Sequence, residues 1–169
     1  YTAAVLVLVL LRSTGLSQTV DLLVYDLITT QRPAPSGSDT PITLIGIEES
    51  DIQRFGWPID DGLFCEAFDR LNTSGVDVIG FDIYRDKGVG PDQQCLRDRF
   101  QNEPTLVSIF NVASGIGPVP GTPAERQSYN DLSLDADGIL RRDLVHVTGQ
   151  DEATVSFALR VMEIATTDR

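Results

Sequence analysis

Lysine is almost missing from this chain: Lys87 is its only one, beside twelve arginines. Histidine, methionine and tryptophan occur once each, and cysteine twice. Each scarcity excludes something. Thirteen basic residues against 25 acidic ones leave a net charge of −12 and a pI near 4.3. Such a surface repels phosphate backbones and anionic lipid, so no nucleic-acid partner is expected. Cys65 and Cys95 lack the C-x-x-C spacing of a zinc site and have no histidine neighbours. Outside the cytosol they could form a disulfide; inside it they would be buried thiols. The single histidine, His146, sits in an apolar strand-like stretch and is read as structural. No nucleophile, histidine base or metal-spaced triad accompanies the acids, so neither catalytic residue nor cofactor is expected.

No hydrophobic run is long enough to span a bilayer. The longest lies in Tyr1 to Leu11 and contains seven consecutive Val and Leu residues. As a helix it would reach about 16 Å, roughly half the hydrocarbon thickness. It has neither the basic start nor the small-residue cleavage site of a signal peptide. It reads as a buried strand or an exposed core segment, or as the end of a transmembrane helix that leaves lipid at Arg12, and the last reading is favoured. Leu16, Val20, Leu23, Val24, Leu27 and Ile28 then recur at spacings of three and four, the stripe of an amphipathic helix. The run Arg32 to Asp39, rich in Pro, Gly and Ser, marks a boundary. The expected organisation is therefore residues 1–12 as a membrane segment, 13–31 as a membrane-proximal helix and 32–169 as the folded domain.

Two apolar runs within that domain end in carboxylates. Pro41 to Glu49 and Gly75 to Ile83 are short, rich in β-branched residues and nearly continuous, as strands covered on both faces must be. Between them Asp60 or Asp61 to Asn72 carries a helical stripe, and acids at its start suit the positive end of a helix. Thr105 to Phe110 reads as a third buried strand and Asp92 to Gln101 as a helix. Ile139 to Thr148 reads as a strand and Glu152 to Thr167 as the last helix. A short helix from Ser50, capped by that serine, follows the first strand. The expected fold is α/β, a mostly parallel sheet with flanking helices, preceded by a long N-terminal membrane-proximal helix.

Ligands in open α/β sheets bind at the C-terminal ends of the strands. Glu48, Glu49, Asp82 and Asp86 would meet there, and adjacent strands lie about 4.8 Å apart, close enough for their acids to share a cation or a proton. Pairing with Arg85, Arg141 or Arg142 is the structural alternative. Arg141 and Arg142 would alternate across a strand, one reaching the acidic edge and the other solvent. Trp57, in the Phe55-Gly56-Trp57-Pro58 turn, would pack on the crossover helix or form an aromatic wall for a ligand. The candidate ligand-binding set is Glu48, Glu49, Trp57, Asp82, Asp86 and Arg141. Asp135 to Gly138 lacks the third ligand and terminal Glu of a calcium loop and reads as a turn.

Several of these pieces occur in an order similar to that of the CHASE type 2 family, extracellular sensory domains associated with cyclases and histidine kinases. They are an apolar helix running into Tyr25-Asp26-Leu27, Ile45-Gly46-Ile47-Glu48-Glu49-Ser50, and Gly56-Trp57-Pro58. Val78-Ile79-Gly80-Phe81-Asp82-Ile83, Asp137-Gly138-Ile139-Leu140-Arg141-Arg142 and Ser156-Phe157-Ala158-Leu159 follow. The chain departs from the family at Glu48, where Asp is usual, and at Ile59-Asp60-Asp61, where the family places an Arg-containing motif. The resemblance implies a sensory input module outside the cytoplasmic membrane, passing a signal to a cyclase, histidine kinase or protein kinase. The family pattern runs on past Arg169, so the chain is expected to be the first part of a longer receptor or a short divergent version. The expectation is a homodimer packed along Leu16 to Ile28, with a small-molecule or ionic ligand of unknown identity. A soluble metal-binding or hydrolytic α/β domain using the acidic strand ends is the alternative.

Overall fold

The computed structural model describes residues 2–13, 18–33, 41–147 and 154–167, and its chain divides into two compact units, Tyr1–Gly46 and Ile47–Arg169. The first unit holds α1 (Thr2–Ser13) and α2 (Gln18–Thr30). The long membrane-proximal helix expected over 13–31 is the 13-residue α2. At 12 and 13 residues α1 and α2 rise about 18 and 20 Å. Among the described residues no single helix is long and apolar enough to cross a membrane, although α1 and α2 together meet the length and composition of a bent span. Their apolar side chains stand in the open: Val5, Leu6, Val9 and Leu10 of α1 are 59–68% exposed. The stripe residues Val20, Leu23, Val24, Leu27 and Ile28 of α2 are exposed as well. Leu16 and most of the Pro/Gly/Ser boundary lie outside the described residues.

The second unit is built on three parallel strands in the order β1 (Ile79–Phe81), β2 (Leu106–Phe110), β3 (Gln127–Tyr129). Helices α4 (Asp61–Thr73) and α5 (Gln93–Asn102) cover one face. Strand alternation decides what meets them. Ile79 pairs with Leu106, and with Phe81 these point into a core of Phe64, Phe68, Leu96 and Phe100. The phenylalanine rings meet mostly edge to face, at centroid separations of 5.0–6.0 Å. On the opposite face Gly80 lies in register with Val107, and α6 (Phe157–Thr167) covers it. A β-carbon on Gly80 would stand 2.6 Å from the Phe157 ring, so the helix sits this close only because glycine is there. β2 is the central strand, and Leu106, Val107, Ser108 and Ile109 are at most 1% exposed. Its reading as a buried strand from a continuous apolar run holds within one residue.

Polar groups tie the layers together. Arg99 of α5 pairs with Asp69 of α4 and with Glu103. The buried Arg126 donates to the backbone carbonyls of Gln101 and Glu103, closing the C-terminal end of α5. Cys65 of α4 and Cys95 of α5 form a disulfide. A two-residue antiparallel ribbon, β4 (His146–Val147) with β5 (Thr154–Val155), reaches the sheet through a bridge from Ser156 to Tyr129.

Several expected elements differ. Residues 41–48 form no strand: the backbone has no regular structure, and Ile42, Leu44 and Ile45 are 70–91% exposed. A run of β-branched residues fits a pleated sheet, but only pairing with a neighbour makes it a strand. The helix after it, α3 (Glu49–Phe55), is capped by Glu48 rather than Ser50; the Glu48 N–H donates to Asp51 Oδ2 at 2.9 Å. Between Ile139 and Thr148 only His146 and Val147 are in a strand, with Thr148 outside the described residues, and His146 is exposed. The last helix starts at Phe157, because Thr154 and Val155 are taken by the ribbon.

Candidate functional site

Each sheet strand ends on an aromatic residue followed by Asp or Asn: Phe81-Asp82, Phe110-Asn111 and Tyr129-Asn130. Parallel strands bring these three ends to one edge. There Asn130 Nδ2 donates to Asp82 Oδ1 at 2.6 Å, and Asn111 Nδ2 donates to the Tyr84 hydroxyl at 3.0 Å. Tyr84 in turn donates to the Asn130 carbonyl at 3.4 Å. Asp131 accepts the Val112 and Ala113 amides at 3.0 and 3.3 Å, which fixes the loop leaving β2. Asp86 stands exposed at this edge, its Cβ facing Gly117 of the β2–β3 connection.

Beneath the edge the loop after β1 turns inward and buries Arg85 against the start of α4. Arg85 is 5% exposed and Asp61 1%. Asp60 caps α4, its Oδ1 accepting the Gly62 amide at 2.8 Å, which leaves the Asp61 side chain free to point inward. Asp61 Oδ2 accepts the Val89 amide, and the Asp61 N–H donates to the Val89 carbonyl, both at 3.0 Å. Arg85 Nη2 donates to the Ile59 carbonyl at 2.9 Å, and the guanidinium lies over the Phe64 ring at 5.1 Å. Arg85 Nε and Asp61 Oδ1 face each other at 3.5 Å as an ion pair, yet neither atom makes a hydrogen bond. Burial pushes the Asp61 carboxyl above its ordinary range, against the opposing pull of the Val89 amide and Arg85. The pair lines a cavity of about 90 Å³, closed by Gln93, Leu96 and Arg97 of α5 and by Val119.

The six residues chosen from sequence do not form one site. Asp82 and Asp86 lie at the strand edge as expected. Glu48 and Glu49 belong to the start of α3, because the strand that would have carried them beside Asp82 is not formed. Among the described residues no group of three or more His, Cys, Asp or Glu is placed to hold a metal ion, so the shared-cation geometry is not realised. Trp57 is 63% exposed, so it is not packed away on the crossover helix. Arg141 serves another turn: it grips Asp137 with both terminal nitrogens, at 2.9 and 2.7 Å, and meets Asp135 Oδ2 at 3.0 Å. Arg142 also pairs with Asp135. The two arginines converge on one aspartate because their segment is a turn region rather than a strand. Their hydrogen bonds hold Asp135 below the usual carboxylate range, and those of Arg141 hold Asp137 at about 2. Tyr84, Asn111, Asn130 and Asp61 were missed. The repeated aromatic–Asp/Asn pair was the available signal for the edge; nothing in the sequence paired Asp61 with Arg85.

A family model, the CHASE2 domain, matches residues 3–168. The chain belongs to the CHASE2 domain family. CHASE2 domains are extracellular sensory domains of signalling proteins and are not catalytic. No curated protein and no solved structure matches the chain.

Proposed function

We propose that this chain is the extracytoplasmic input domain of a membrane-bound receptor, anchored through its N-terminal apolar helices and acting on a cytoplasmic cyclase, histidine kinase or protein kinase. Membership of the CHASE2 family over residues 3–168 carries the reading. Two features of the molecule support it. The Cys65–Cys95 disulfide suits an oxidising compartment. The bare apolar surface of α1 and the stripe on α2 suit lipid and a second copy of the chain, so the receptor is a homodimer along α2. A stimulus acts by binding one packing of the domain more tightly than the other, and the difference reaches the membrane as a change in helix spacing or tilt. The test is the oxidation state of the two thiols in intact cells, read by mass-tagging maleimide after denaturation. The reading expects no tagging until a reductant is added; two freely tagged thiols contradict it.

A further inference from the structure

The cavity beneath the strand edge has a chemistry of its own. Its floor holds a donor and an acceptor side by side, Arg85 Nε and Asp61 Oδ1, 3.5 Å apart and without hydrogen bonds. Buried polar atoms left unpaired are costly, so such a pair calls for a third group. A hydroxyl fits: its oxygen accepts from Nε–H while its proton goes to Oδ1. An ammonium cannot accept, and a bare carboxylate cannot donate. The mouth of the cavity carries the opposite requirement. Arg97 lines it, exposed and with no ion pair or hydrogen bond among the described residues. The first turn of α5 opens there at Gln93, and its cap residue Asp92 makes no side-chain hydrogen bond to it. Of the residues that line the cavity, two arginines face one aspartate, while Asp60 and Asp92 approach each other across Gly62 beside it. At Arg97 an anionic group gains a charge-assisted partner. The volume of about 90 Å³ is below the roughly 150 Å³ of a cavity that takes benzene, so it admits only a small molecule.

We propose that this cavity binds a small hydroxy-carboxylate, its hydroxyl seated between Asp61 and Arg85 and its carboxylate at Arg97 and the start of α5. The assignment names the ligand class of the sensory domain and rests on that reading for its meaning. The hydroxyl, not the charge alone, selects the ligand, because an analogue without it leaves both buried atoms unpaired.

The experiment is calorimetric titration of the full chain in detergent with glycolate, acetate, glycine and ethylene glycol, repeated on Arg97→Gln. Arg97 makes no ion pair or hydrogen bond among the described residues, and Gln keeps the Cγ that lies beside Gly121, so the ligand-free variant should melt as the parent does. Glycolate binds saturably, and each of the other three binds at least about tenfold more weakly, the factor expected for one unpaired buried partner. Arg97→Gln weakens glycolate binding about tenfold. Acetate binding as well as glycolate, an unchanged Arg97→Gln variant, or no glycolate binding overturns the assignment, and the cavity is then filled by water alone. A membrane-bound, oxidised chain indifferent to glycolate sinks this assignment and leaves the sensory reading standing. A chain that binds glycolate with both thiols reduced in cells does the reverse.

Discussion

The N-terminal helices and the central strand are made of the same residues and have opposite fates. Val5, Leu6, Val9 and Leu10 of α1 are more than half exposed, whereas Leu106, Val107 and Ile109 of β2 are at most 1% exposed. Both stretches are Val/Leu/Ile-rich, so hydrophobicity does not distinguish them. What differs is the surroundings. β2 has a strand on each side and a helix layer on each face, all drawn from residues 47–169. The described Val and Leu side chains of α1 stand in the open, as the proposed lipid anchor requires. Residues 47–169 thus complete the burial of their own apolar strand, and the helices of the first unit leave theirs exposed.

Core substitutions test the first half of that contrast most strongly. Phe100, fully buried against Phe68 and Phe81, should cost about 3–5 kcal/mol on truncation to Ala. The same truncation at Val9, 60% exposed, should change stability by less than about 0.5 kcal/mol. Guanidinium unfolding followed by circular dichroism measures both, and equal effects would break the contrast. The disulfide comes next. It links α4 to α5 across a separation of 30 residues, and Cys65→Ser/Cys95→Ser should lose about 3–4 kcal/mol by the loop-entropy relation. A comparable loss should follow from adding reductant to the parent chain and should be absent in the double variant.

Gly80→Val sharpens the picture at the face under α6. The new side chain collides with the Phe157 ring, so the expected loss is about 1–3 kcal/mol. Gly46→Ala, with nothing within 4 Å of the added carbon, is the matched control and should be nearly silent. The smallest effect is a pH dependence. Asp137 is held at about 2 by Arg141, against an ordinary value of 3.8. A depressed folded-state value contributes stability above pH 3.8, and that contribution is lost as the pH falls through about 2. Asp135 acts in the same direction. Thermal melting across this window should weaken in the parent chain and less so in Asp137→Asn.

Local patterns made much of the α/β unit legible. Elements whose signal is local were read well: α4 from its stripe and acidic start, α5 from its flanks, β2 from a continuous apolar run. Residues 41–48 carried the same run-type signal and are unpaired, because strand pairing is decided by neighbours far along the chain. The long helix expected over 13–31 is the shorter α2, and the Ser50 cap belongs to Glu48. At the site, Asp82 and Asp86 were legible as strand-end acids. The Asp61–Arg85 pair was not. Asp61 looked like one more acid at a helix start, and Arg85 like a free cation for the edge, since the loop that buries both is a tertiary feature. Arg141 is salt-bridged, as its structural reading has it, but to Asp135 and Asp137 of its own turn, since alternation across a strand says nothing once the segment is a turn.

If the exposed apolar surface of α1 anchors the protein, it meets lipid. Alkaline carbonate extraction of membranes from cells expressing the full chain tests this, with Leu6→Asp/Val9→Asp alongside. The account predicts that the parent chain stays in the membrane pellet and that the double-aspartate variant moves to the supernatant. Recovery of the parent chain in the soluble fraction would contradict it.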